Sequence, residues 1–187
     1  MNHVHRTIKD VVLVSICASV LFVQQLALAF LPNVQFSVML VILYTRVLGF
    51  KRTMLIVLVH VLAVNLFSPM GPILPVFFPA MLIAWMIIPI TLTTVLRRLQ
   101  SSLSLALFAF FYGFVYGWVF IPFAIFLADA PFIAYLLADL LFEFIMGVSG
   151  FLTTLWLYDP LRAVFEREKV ALYEQRTLRE KGASLSS

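Results

Sequence analysis

Asp139 and Glu143 carry more potential chemistry than any other residues of this sequence, because they stand four apart in an otherwise apolar stretch. In a helix that spacing puts both carboxyl groups on one face. Carboxylates without a counter-charge are costly in apolar surroundings, so the pair marks a place that receives a cation, a proton or a hydrogen-bond donor. The same stripe continues through Gly147 and Gly150, whose lack of side chain lets a neighbouring helix come close. The face therefore predicts an acidic half above a tightly packed half.

Further polar side chains belong to the same layer once the chain is folded back and forth across a membrane. Gln24, Gln25, Asn65, Tyr116 and Trp118 fall near the same ends of their apolar runs, and Asn33, Gln35 and Asp129 fall in the connections. Aromatic walls with a few polar contacts suit a small molecule. With Asp139 and Glu143, the residues Gln24, Gln25, Asn33, Gln35, Asn65, Tyr116 and Trp118 form the candidate substrate-binding set. Each also has a plainer use. Gln24 and Gln25 point about 100° apart on a helix, so one of them suits a bond to a neighbouring helix. Tyr and Trp also anchor membrane interfaces. His60, nearer the middle of its run, has no partner cluster of metal ligands, and Cys17 is the only cysteine. No metal site or cofactor is expected. The chain also lacks G-x-x-x-x-G-K-[ST], H-E-x-x-H and G-x-S-x-G, so neither ATP hydrolysis nor any other enzymatic activity is expected of it.

The elements that must position these residues are six apolar runs: Val11 to Leu31, Phe36 to Gly49, Thr53 to Phe67, Pro79 to Leu96, Ser104 to Leu127 and Phe132 to Tyr158. All thirteen Lys and Arg residues fit on one side of them: before the first run, around the second connection, at the fourth, and after the sixth. The first, third and fifth connections carry none. By the positive-inside rule, both termini are expected in the cytoplasm. A sequence that is 63% hydrophobic and 12% charged has too little polar surface for a soluble domain. The expected fold class is all-α, a polytopic six-transmembrane-helix bundle over residues 1–158 in a prokaryotic cell membrane. Residues 159–187 follow as a charged cytoplasmic tail, partly helical and fraying at Gly182-Ala183-Ser184. The net charge of +4 does not imply a nucleic-acid partner, because the basic residues cluster at helix ends where topology and lipid headgroups account for them. The first run resembles a secretory signal ending at Ala27-Leu28-Ala29, but it is already of spanning length and is expected to be retained.

The connections differ in kind. Leu48-Gly49-Phe50-Lys51-Arg52 reads as a tight turn, with Arg46, Lys51 and Arg52 reaching to the headgroups. The segment from Ser68 to Pro79 holds four prolines among apolar residues, and reads either as an interfacial connector or as a lid over a pocket. Gly113 and Gly117 form a small-xxx-small pattern, and Ser15 and Ser19 a serine version. Such patterns serve packing within a chain or contact with another membrane subunit.

Together, the basic start of the first run, Leu31-Pro32-Asn33-Val34-Gln35 leading into Leu40-Val41-Ile42-Leu43-Tyr44, and Gly49-Phe50-Lys51-Arg52 resemble the substrate-binding S component of an energy-coupling factor (ECF) transporter. The resemblance covers roughly Lys9 to Tyr158. It implies a receptor for a vitamin or related small aromatic micronutrient. Its partners would be a transmembrane coupling subunit and two ATPase subunits, which use the ATP. It implies a ligand held in the outer half, and docking through an Ala-x-x-x-Ala surface of the first helix. Ser15, Ala18 and Ser19 stand nearest to that pattern here. Two other readings remain open: a scaffold like the six-span cell-shape protein MreD, whose Pro-Asp and Gly-rich Asp-containing segments are lacking, and a stand-alone secondary carrier in which the acid pair relays protons.

Overall fold

The computed structural model describes the backbone of residues 2–67 and 75–185, with side chains over 8–67 and 75–167 apart from residue 76. The apolar runs become six helices: α1 (Asn2–Ala27), α2 (Ser37–Leu48), α3 (Phe50–Phe67), α4 (Phe78–Thr93), α5 (Ser102–Ala128) and α6 (Phe132–Leu185), with one 3-10 turn at Pro75–Phe77 before α4. Among the described residues there is no strand. Among the described residues, four stretches are long and apolar enough to cross a membrane: Ile8–Ala27, Phe50–Phe67, Ser102–Ala128 and Phe132–Arg167. The protein is therefore a helical, membrane-embedded one. Two of the six runs, now α2 and α4, are shorter than a full span.

The shortest helix is the hub. An α-helix that is apolar on every side has to be surrounded, and α2 is: Ser37 to Thr45 and Val47 are all buried, and it touches each of the other five helices. Its 12 residues reach only about 18 Å, so it cannot join both faces of a hydrocarbon core roughly 30 Å thick. Orphaned backbone groups at such ends need partners from the protein itself. At the start, Gln24 of α1 supplies them: its Oε1 accepts from the Phe36 N–H at 2.9 Å and its Nε2 donates to Ser37 Oγ at 2.5 Å.

At the other end the structure corrects an expectation. Arg46 does not reach for headgroups. Its guanidinium donates to the carbonyls of Leu92, Leu96, Arg97 and Leu99 at 2.6 to 3.2 Å, and so closes the C-terminal end of α4 and the turn that follows. A cation is favoured there because the last carbonyls of a helix are unpaired and carry its negative pole. Gly49 makes the sharp α2–α3 turn with a φ of 83°, which only glycine adopts without strain. Arg52 stays outside, 2.7 Å from Asp10.

The last two helices form an antiparallel hairpin held by missing side chains. A Cβ on Gly113 would stand 2.5 Å from the Gly147 backbone nitrogen, and one on Gly147 would stand 2.7 Å from the Phe110 carbonyl. The Gly113–Gly117 pattern is thus used inside the chain. α6 then runs on through Pro160 to Leu185, so the charged tail from Asp159 continues the last helix, and Gly182 to Ser184, where fraying is expected, are helical as well. On α1, Ser15 and Ser19 lie exposed beside Ile16 and Val20, whereas Ala18 is buried with Cys17 and does not share their face.

Candidate functional site

The site begins with the connection between α1 and α2, which is tied to the middle of α6. Asn33, in the left-handed conformation at φ 58°, donates from Nδ2 to the Phe142 carbonyl at 3.0 Å. Gln35 is held by Ser149, whose Oγ accepts from the Gln35 N–H and donates to its carbonyl, both at 3.1 Å. Asn tolerates this backbone region better than most residues, because its short polar side chain bonds locally. Phe142 lies about 15 Å along α6 from Phe132, so the α5–α6 hairpin rises well past the α1–α2 connection. Irregular backbone at such depth is tolerated where it is buried in protein or lines a cavity.

A cleft of about 410 Å³ opens over that connection. Cavities that take small ligands run from roughly 300 to 1,000 Å³. Its apolar walls include Phe22 of α1, Val64 of α3, Met81 of α4 and Phe142 of α6. Five of the nine residues expected to bind substrate meet in it: Gln25, Asn33, Gln35, Tyr116 and Asp139. The Gln25 Oε1 is buried and has no hydrogen-bond partner.

The other four lie elsewhere, each for a visible reason. Gln24 is committed to the start of α2. Asn65 donates back to the Val61 carbonyl at 2.7 Å and to Met81 Sδ at 3.4 Å, so it steadies a wall from behind. Trp118 is 54% exposed on the outside of the bundle. Glu143 is 2% exposed and sits behind Asp139 against Gly117, where a Cβ would collide with its Oε1 and stand 2.8 Å from Asp139 Oδ2. The Trp118 indole is beside this carboxylate without meeting hydrogen-bond geometry, and both Glu143 oxygens are unpartnered. The residues from Ser68 to Leu74, which carry most of the expected lid and three of its prolines, lie outside the described residues.

An aromatic column behind the cleft was not anticipated. Phe108, Tyr112, Tyr116 and Phe120 recur every fourth residue on α5, each ring 5.1 to 6.2 Å from the next. Trp85 of α4 packs on Tyr116 at 5.4 Å and on His60 of α3 at 5.8 Å, and the Tyr112 hydroxyl donates to the Ala84 carbonyl at 2.8 Å. The fourfold spacing of those aromatics was the available signal. Trp85 had none, because its own helix is apolar on every side. His60 is 1% exposed and neither ring nitrogen has a partner, so it belongs to this packing and not to the cleft wall.

The arrangement can hold a small molecule against an aromatic wall and offer it one carboxylate, two glutamines and an asparagine. No protein-family model matches the chain, and no curated protein or solved structure does either.

Proposed function

We propose that this chain is the substrate-capture subunit of an ECF-type importer: a six-span protein of the prokaryotic cell membrane, with both termini cytoplasmic. It would take a vitamin or related small aromatic compound from outside and deliver it through a coupling subunit and two ATPase subunits. The observation that carries this reading is the cleft over the α1–α2 connection, walled by Tyr116 and Asp139 and placed at the end of the bundle away from the Lys and Arg residues. By the positive-inside rule that end is the outer one.

The opposite half supports capture over passage. α2 is packed on every side, the α5–α6 glycines bring backbones into contact, and Arg46 ties α2 to the α4–α5 turn. A stand-alone carrier would need a second opening there. An MreD-like scaffold would have no use for a cleft of this size. Ser15 and Ser19, on the exposed side of α1, are the proposed contact with the coupling subunit; Ala18, being buried, is not. The absence of Lys and Arg from the outer connections favours a cargo that is cationic or donates hydrogen bonds.

The test is to purify the chain from cells, extract it, and identify any bound small molecule by mass spectrometry, while asking which ATPase subunits copurify. An aromatic cargo together with a coupling module supports the reading. A chain that carries nothing, and copurifies with cell-wall proteins instead, overturns it.

A further inference from the structure

Behind the cleft lies an arrangement that holding a cargo does not require. Glu143 is 98% buried, since only 2% of it is exposed, and neither of its oxygens has a hydrogen-bond partner. Gly117 is the reason that it fits: Glu143 Oε1 and Asp139 Oδ2 both come within 2.8 Å of the point where a Cβ would stand, so the missing side chain admits two carboxyl groups to one place.

Nothing nearby offsets two negative charges. On α6 the titratable neighbour is Tyr135, and on α5 it is Tyr116, with the Trp118 indole beside them. From the α1–α2 connection comes Asn33, whose amide is already given to the Phe142 carbonyl. His60 of α3 is turned to Trp85. Arg46 of α2 is engaged at the far end of the bundle. No Lys or Arg occurs between Arg52 and Arg97 or between Arg98 and Arg162. Two ionised carboxylates this close, in apolar surroundings, repel each other with no compensation.

We propose that Asp139 and Glu143 bind one proton between them above Gly117, with Glu143 carrying it as an O–H donor and Asp139 remaining ionised toward the cleft. A single proton removes one of the two charges and gives the Glu143 carboxyl, which has no partner as an acceptor, a hydrogen to donate. A metal ion fits less well. Hard cations take about six or more oxygen ligands, and among the described residues no group of three or more His, Cys, Asp or Glu is placed to hold one. The bound proton leaves the cleft with one negative charge, which Glu143 sets without touching the cargo. This is a property of the chain without cargo, so it stands or falls apart from the capture reading.

Infrared spectroscopy of the purified chain in detergent, titrated with acid and base, reads it directly. At about pH 7 the exposed carboxyl groups are ionised, so any carbonyl band of a protonated carboxylic acid reports a shielded one. The expected result is one such band in the wild type and none in Glu143→Gln. In Asp139→Asn the Glu143 band should vanish at a pH lower by at least about one unit, a tenfold loss of proton affinity, because the neighbouring negative charge has gone. Thermal melts check that the variants are folded. If Glu143→Gln does not fold, the Asp139→Asn midpoint decides alone. A wild type without the band overturns the proposal, as does a band that survives Glu143→Gln or a midpoint that Asp139→Asn leaves in place.

Discussion

Arg46 and Glu143 are each an ionisable residue drawn into an apolar bundle, and they are treated in opposite ways. Arg46 makes hydrogen bonds to four backbone carbonyls at the end of α4 and in the turn that follows. Glu143 makes none. The difference separates a charge used to hold helices from one kept available. The Arg46 end joins α2, α4 and the start of α5, and the hairpin is closed nearby by a hydrogen bond from Ser102 to Asp159. The Glu143 region adjoins the one described cleft, where Gln25 also has a buried oxygen without a partner.

The largest expected effect lies on the Arg46 side. Arg46→Met keeps the apolar stem but removes a charged donor from four carbonyls, of which Leu96 and Arg97 keep another donor, and should lower stability by roughly 3 kcal/mol or more, read as a large drop in melting temperature. A variant that melts with the wild type would erase the contrast. Next is Gly113→Ala, which places a methyl 2.5 Å from a backbone nitrogen of α6. Backbone cannot give way as a side chain can, so a loss of about 1 to 3 kcal/mol is expected in the same melt. Gln24→Ala removes the partner of the Phe36 N–H and should cost about 1 kcal/mol, in the range of a lost helix cap.

Glu143→Gln should be the mildest. The amide keeps the shape and can donate in place of the proposed O–H, so stability should move by no more than about 0.5 kcal/mol in either direction. A loss as large as that of Arg46→Met would mean that Glu143 is also a fastener, and the distinction between the two regions would fail.

What the sequence disclosed follows the same division. The apolar runs and the glycine stripe were legible, because burial and close approach leave periodic marks: Gly113, Gly117, Gly147 and Gly150 stand at the spacing that one helix face requires. The acid pair was legible as chemistry, but not its division of labour, in which Asp139 faces the cleft and Glu143 lies behind it. That depends on the rotation of α6 against Gly117, which residue types do not specify. Gln24 and Arg46 were open to more than one use for a shared reason. A polar residue near a helix end can serve a ligand, a headgroup or a neighbouring backbone, and only the short length of α2 reveals that the neighbouring backbone had need of both.

The central claim is that the cleft captures a small molecule through Asp139. The most direct measurement is a calorimetric titration of the purified chain with the compound extracted from it, comparing wild type with Asp139→Asn. Loss of a charge-assisted contact is worth about 1.5 to 3 kcal/mol, so affinity should fall about ten- to hundredfold while the melting temperature without cargo stays put. Wild-type affinity in Asp139→Asn would contradict the account.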